Sequence, residues 1–507
     1  MEGVHLQFLL NGFVTLFSVK YLLACFCGIF MGTIVGILPG VGPTATMTLM
    51  LPFTFAFGPA VGLITLTGVL CGAMYGGSTT SILVNMPGEA ASVVTCIDGY
   101  QMAKKGRGGA ALALVAVGSF VAGTLAIIGL QIFAPLLGKV ALSFGSPEYF
   151  TFMILAFVLI SNLTGGDAVR SFVMLALGLW LSSIGICPLD NVARFTYGSN
   201  DLMLGIEFVP LAVGLFGLAE IISIGIEKYV PPAVRGIRMR ELYPNREEIR
   251  RSVAPILRGS VLGFFTGLLP GPSAVIASFV SYTLEKRISK KPLEFGQGAI
   301  EGVVGPESAN NSAAVATLIP LLTLGIPFGP SSAVLLAGLL MHNVEPGPML
   351  FQNAPEIFWT LIAALYVGNI MLLVLNLPFV GILSKIAAIR PALLMPFIGM
   401  ICLLGVYGVR GNFFDVWIMV LSGIAGVVFR KLKYPVAPLI IGLILGPMAE
   451  NNLRKTLMLF RGDLTHFLDR PIAMSFLALI AVMAAAKLIF RKKAKGGGIV
   501  DLGKEKA

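Results

Sequence analysis

The sequence predicts an all-α polytopic membrane protein built from two structural repeats, each interrupted by broken helices. Three observations predict it. Of 507 residues, 56% are hydrophobic and only 12% are charged, against about 25% charged in an ordinary soluble domain. Apolar runs near the length of about 20 residues that crosses a bilayer recur along the whole chain. A Leu-Pro-Gly motif following such a run occurs once in each half. This composition excludes a soluble enzyme, a disordered chain and a nucleic-acid binder. The net charge of +11 has a topological reading, because Lys and Arg gather in cytoplasmic loops.

The N-terminus MEGVHLQFLLNGFV lacks a basic leader and a small-residue cleavage site and reads as a mature interfacial segment. The first repeat, 1–227, opens with an apolar span over Tyr21–Leu38, and a broken region follows from Pro39 to Asp98. Spans then fall near Gly109–Leu136, Tyr149–Leu163, Val169–Ile186 and Leu202–Ile226. The polar stretch 228–258 is rich in Arg and reads as a cytoplasmic linker. The second repeat, 259–490, restarts at Pro255–Leu268 and is broken from Pro270 to Gly347. It continues with spans near Phe358–Leu377, Ala392–Val406, Val416–Val428, Val436–Leu445 and Pro471–Phe490, and the tail 491–507 is basic and cytoplasmic. Window length predicts about ten to twelve crossings.

The halves align at three places. Gly32–Ala45 matches Gly259–Ala274 strongly, Gly76–Ser92 matches Asn310–Ser332 more loosely, and the segments after Ser146 and Arg390 echo each other faintly. Duplicated halves commonly form an inverted repeat with the site near the bilayer midplane.

The breaks carry the chemistry. Pro39, Gly40, Gly42 and Pro43 interrupt one helix; Pro270, Gly271 and Pro272 interrupt its counterpart. Non-helical backbone at membrane depth survives only where protein or an aqueous cavity satisfies it. The next residues are small and polar: Thr44 and Thr46, then Ser273 and Ser278. A helix restarting there aims free N–H groups and its positive dipole end at the cavity, which suits a carboxylate. The basic clusters before Gly259 and at Lys286–Lys291 are about 27 residues apart. If both stay inside, the chain between them is a hairpin of two half-spans of about 12 residues each. An ordinary extramembrane turn is the alternative reading.

The second breaks are polar as well. Ser78, Thr79, Thr80, Ser81 and Asn85 precede Met86-Pro87-Gly88, and Asn310, Asn311 and Ser312 precede Gly325-Ile326-Pro327. Their oxygens suit a substrate or a cation such as Na⁺, and equally suit hydrogen bonds between packed helices. Among the few ionisable residues near apolar runs, Glu89 and Glu307 flank these polar segments and are candidate proton or cation carriers. Asp167 with Arg170, and Arg410 with Asp415, read as charges at loop ends. The six Cys are scattered as small hydrophobes and the three His form no metal-ligand cluster. Lys104–Gly109 lacks the Walker ending, so no ATP-driven step is expected. A channel would need a ring of pore-lining groups. An intramembrane enzyme would need a nucleophile with a base, or a metal set, and neither pattern occurs.

Leu38-Pro39-Gly40-Val41-Gly42-Pro43, Tyr75-Gly76-Gly77-Ser78, Leu269-Pro270-Gly271-Pro272-Ser273-Ala274 and Pro306-Glu307-Ser308-Ala309-Asn310-Asn311 together resemble the large permease subunit of the tripartite tricarboxylate transporter family. The resemblance covers nearly the whole chain. It implies a bacterial inner-membrane permease working with a small membrane subunit of about four spans and a periplasmic solute-binding protein. It further implies import of a citrate-like di- or tricarboxylate coupled to Na⁺ or H⁺, no resident cofactor, and an elevator-like fold with paired re-entrant hairpins. A homodimer through the static part is a further expectation. Under this reading the substrate site takes Pro39, Gly40, Gly42, Pro43, Thr44, Ser78, Thr79, Pro270–Ala274 and Asn310–Ser312. Cation coupling takes Ser81, Asn85, Glu89, Glu307, Gly325 and Pro327. An anion channel, or an ion-coupled carrier acting without a binding protein, is the alternative.

Overall fold

A computed structural model describes residues 2–38, 42–163, 167–187, 190–226, 239–379 and 391–496. The described chain is almost entirely helical: α1 (Glu2–Leu16), α2 (Val19–Ile37), α3 (Pro43–Phe55), α4 (Pro59–Val84), α5 (Val93–Lys104), α6 (Gly108–Ala141), α7 (Ser146–Leu163), α8 (Ala168–Ser182) and α9 (Phe208–Ile226) lead into the second half. There α10 (Arg246–Gly267), α11 (Ser273–Ile288), α12 (Glu301–Ala316), α13 (Leu318–Leu324), α14 (Pro330–Met341) and α15 (Pro355–Asn376) precede α16 (Pro391–Arg410), α17 (Phe413–Lys431), α18 (Ala437–Leu459) and α19 (Pro471–Gly496). A two-residue ribbon, Gly185–Ile186 with Ala193–Arg194, is the one β element among the described residues.

Six helices are long and apolar enough to cross a membrane among the described residues: α2, α4, α6, α9, α15 and α17. Six further apolar stretches of 10–17 described residues lie in α1, α7, α8, α14, α16 and α19. Exposed apolar side chains such as Phe172, Trp417 and Leu421 cover the outer helices, as lipid-facing surfaces require. Two expected boundaries move. The linker assigned to 228–258 is helical from Arg246 onward, capped by Asn245 and Glu248 bonding each other's backbone N–H. The N-terminal segment is a helix packed on α15, with the Phe13 and Tyr366 rings 6.3 Å apart.

The regions expected to be broken throughout are continuous over most of their length. The first contains the 26-residue α4, with a break at 85–92, while the expected break at Pro39 and Gly40 lies outside the described residues. The second contains α12, α13 and α14, with breaks at 268–272 and 325–329. Pro at the first turn of α3, α4, α14 and α15 removes an N–H that would be unsatisfied anyway. Asn85 and Gly325, both left-handed (φ 58° and 70°), end α4 and α13.

Glycine stripes seat α2 on α4 and α10 on α12. A Cβ on Gly28, Gly32 or Gly36 would collide with the backbone of Thr65, Val69 or Ala73. A Cβ on Gly259, Gly263 or Gly267 would collide with that of Gly305, Ala309 or Ala313. Both stripes advance by four residues per contact on both helices, the small-residue packing that membrane helices use for close approach.

α10 and α11 form a hairpin. Arg258 on one arm grips Glu285 on the other with two bonds of 2.8 and 2.6 Å. At the same end Arg251 binds Glu294 and Glu301, and Lys291 lies near Glu247 and Glu294. Glu294 is held below the ordinary carboxylate range, mainly by Arg251. The turn between α5 and α6 sits at this end too: Arg107 pairs with Glu248, and Lys105 reaches the Gln297 carbonyl. Two clusters of basic residues therefore share one face. Asp98 on α5 joins the first half to the second here. Its Oδ1 accepts N–H groups from Gly296, Gly298 and Ala299 at 2.7–2.9 Å, and its Oδ2 accepts the Tyr282 hydroxyl at 2.9 Å.

Two substitutions test this framework. Gly263→Leu forces α10 off α12 and lowers the Tm measured in detergent, by overpacking worth about 1–3 kcal/mol. Asp98→Asn replaces an acceptor-only group with one carrying N–H, leaves buried donors unmatched, and destabilises by about 3 kcal/mol in the same assay.

Candidate functional site

The breaks of the two halves meet. The N-terminal residues of α3 and α14 touch, with the Thr44 and Ser331 hydroxyls 2.9 Å apart. Three residues earlier, the Phe328 carbonyl accepts the Gly271 N–H at 2.7 Å. The short path Phe328–Ser331 thus links the tip between α10 and α11 to the start of α3. Three helix N-termini, those of α3, α11 and α14, open toward one region. Gly271 has φ 122°, a conformation that side chains with a Cβ rarely adopt. Ser273 is buried and donates back to the Leu269 and Gly271 carbonyls at 2.8 and 3.3 Å. That closes the tip with its own groups.

The expected substrate residues separate into groups. Pro39 and Gly40 lie outside the described residues. Gly42 is the extended cap of α3 and Pro43 its buried first residue. Thr44, Pro270, Gly271, Pro272 and Ser273 belong to the meeting point just described, and Ala274 follows half-buried in the first turn of α11. Ser78, Thr79, Asn310, Asn311 and Ser312 sit deeper, on the continuous helices α4 and α12 rather than on unwound backbone. Ser312 donates to the Ser260 carbonyl at 2.7 Å, an α10–α12 packing bond. Asn311 donates to Ser119 at 2.8 Å and to the Glu307 carbonyl at 3.0 Å. It lines a cavity of about 30 Å³ with Thr67, Tyr75 and Asn369. This cavity has room for a water or two.

Glu89 and Glu307 occupy a buried polar cluster between the halves. Asn310 donates to Glu89 at 2.7 Å. Ser78 donates to Glu307 at 2.6 Å, and Thr95 donates to its other oxygen. Of the remaining coupling candidates, Ser81 bonds the Gly77 carbonyl at 2.9 Å. Asn85 is exposed, while Gly325 and Pro327 are buried in the second break. Both second breaks share a cap. Ser92 bonds the Glu89 backbone and Ser332 bonds the Gly329 backbone, each three residues on.

The structure adds partners that the sequence reading did not single out. Ser331 follows Pro330 directly after a break, the same pattern that marked Thr44. Thr95, Ser119 and Asn369 carried no such signal, since they lie inside regular apolar helices. Arg410–Asp415, at 2.7–3.0 Å, and Asp167, which caps α8, are loop-end charges as expected.

The family model for the tripartite tricarboxylate transporter TctA family matches residues 22–441. An uncharacterised 52.8 kDa protein of the TAR-I ttuC' 3' region in Agrobacterium vitis is 45% identical over 468 residues, covering 92% of this chain and 93% of the relative. An uncharacterised protein of the TAR-II ttuC' 3' region in the same organism is 44% identical over 227 residues, covering 45% of this chain and 94% of the relative. No solved structure matches. The helical architecture, the Leu-Pro-Gly motif present in each half of the sequence and this match agree: the chain belongs to the TctA family of tripartite tricarboxylate transporters, as the large permease subunit, a transporter rather than an enzyme.

Proposed function

We propose that the chain imports citrate-like di- and tricarboxylates across the bacterial inner membrane by cation-coupled secondary transport. A periplasmic solute-binding protein delivers the substrate, and a small membrane subunit completes the complex. One observation carries the reading: three helix N-termini converge at the Thr44–Ser331 and Gly271–Phe328 contacts. Unpaired N–H groups and the positive ends of three helix dipoles favour a multiply charged carboxylate there.

The arrangement of the halves supports an inverted repeat. The hairpin of α10 and α11 has its base at the end where α5 terminates. The end of α3 meets the end of α14, where the Phe55 and His342 rings lie 5.4 Å apart. Equivalent hairpins therefore open toward opposite ends. In this reading α2–α6 and α10–α15 form the body that carries substrate, while α7–α9 and α16–α19 form the static scaffold, which also offers a surface for a homodimer. Coupling requires that the cation bind the loaded and empty states with different affinity.

The test is uptake of radiolabelled citrate by the permease reconstituted with its two partner subunits. Uptake should saturate and should follow an imposed cation gradient. Ser273→Trp and Ser331→Trp should each reduce it by about tenfold or more while the protein still inserts and elutes as a monodisperse species. Unchanged uptake by both variants removes the assigned site, and linear, non-saturating flux favours a channel.

A further inference from the structure

We propose that Glu89, Asn310 and Glu307 form the coupling-ion site of this permease, and that the ion is a proton shared by the two carboxyl groups. The proposal rests on the carboxylate-import reading and names the ion that drives it.

Other buried carboxylates among the described residues have evident compensation. Glu285 has Arg258, Asp415 has Arg410, and Asp98 has three backbone N–H groups and a tyrosine hydroxyl. Glu89 and Glu307, 9% and 1% exposed, have no Lys, Arg or His within ion-pair distance among the described residues. Their partners are neutral. Ser78 and Thr95 donate to Glu307, and Asn310 donates to Glu89. Glu89 additionally accepts backbone N–H groups at the start of the 90–92 turn. Glu89 packs on Gly77 and Glu307 accepts from the adjacent Ser78, so the two carboxyl groups sit against neighbouring residues of α4. Two carboxylates that close, away from water and without a cation, do not both stay ionised.

The independent observation is on Asn310. This residue is fully buried, and its carbonyl oxygen Oδ1 has no hydrogen-bond partner. An orphaned acceptor at this depth is costly. What the cluster lacks is one donor, and in this proposal a carboxyl proton is that donor. A metal cation would instead need a shell of several oxygens, and both Glu307 oxygens already accept hydroxyl groups. Packing is tight as well: a Cβ on Gly77 would lie 2.9 Å from Glu89 Cγ.

The other titratable and charged groups on the elements around the pair are accounted for. Cys96 on α5 is the neighbouring thiol and bonds the Ser92 carbonyl. Asp98 is held as above. Glu301, at the start of α12, is paired with Arg251, and Glu285 on α11 with Arg258. α4 contributes Cys71 and Tyr75, whose hydroxyl bonds Asn369. The proton is therefore the one charge free to come and go. Glu307 lies six residues into α12 from Glu301 at the basic face, about 9 Å of helix rise. The proton arrives with substrate from one side and leaves toward that face. Because Glu89 and Ser78 belong to the first half and Asn310 and Glu307 to the second, its loss places repulsion across the seam between the halves.

The test uses the permease reconstituted with its partner subunits, with radiolabelled citrate and a trapped pH dye, under a proton gradient in Na⁺-free buffer and, in parallel, under a Na⁺ gradient at equal pH on both sides. Expected for the wild type is citrate accumulation driven by an inward proton gradient, with acidification of the lumen. Glu89→Gln and Glu307→Gln should each lower the ratio of gradient-driven accumulation to citrate–citrate exchange by about tenfold, and Glu307→Asp should restore part of it with a shifted pH profile. The infrared spectrum of the wild type at neutral pH should contain a buried protonated-carboxyl band that both Gln variants lose. Accumulation that follows only a Na⁺ gradient, a variant ratio equal to wild type, or absence of that band overturns the proton site. If wild-type protein exchanges no carboxylate under any gradient, the import reading itself fails, and the site with it.

Discussion

A helix that stops inside a lipid slab exposes N–H and C=O groups that the hydrocarbon cannot bond. Everything at the centre of this protein follows from meeting that demand. At the tip between α10 and α11, Gly271 gives its N–H to Phe328, and Ser273 gives its hydroxyl to the carbonyls just before it. The break in one half is thus satisfied by the break in the same half's next hairpin, and the Thr44–Ser331 contact ties in the other half. Unwound backbone is tolerated because other unwound backbone is close enough to answer it. The same closeness brings the starts of α3, α11 and α14 together, and the proposed carboxylate site rests on the positive dipole ends found there.

That closeness depends on residues with almost no side chain. The Gly28–Gly36 and Gly259–Gly267 stripes let α2 and α10 lie with their backbones against those of α4 and α12. α4 and α12 in turn carry the deepest polar residues. Ser78 reaches Glu307 and Asn310 reaches Glu89 only because the two packed pairs face each other across the centre. The ion pairs Arg258–Glu285 and Arg251–Glu301 lie at one end, where water can reach part of each guanidinium. Buried charge deeper in the molecule is left to hydroxyl and amide groups.

Much of this was legible in the sequence, for physical reasons that differ by residue. The membrane class and the break at Pro270–Pro272 could be read because Pro and Gly leave an unmistakable mark on a helical pattern. Glu89 and Glu307 could be singled out because charge is rare in such a composition. The continuity of α4 and α12 could not be read. Pro306 and the run Gly76–Ser81 look like interruptions, yet tertiary packing on the glycine stripes holds both helices through them. Thr95 and Asn369 were invisible, since a single polar residue in an apolar helix looks the same whether it bonds its own backbone or a partner far along the chain.

The glycine stripes have one more consequence. Where side chains interdigitate, a pair of helices accommodates small shifts by changing rotamers. Where main chains mesh directly, there are no rotamers to re-sort, and a slip along the seam must skip a whole turn, about 5.4 Å, before the next glycine finds a carbonyl. α2 with α4, and α10 with α12, should each behave as a single stiff strut that travels intact. Motion in this molecule is then confined to joints outside those seams.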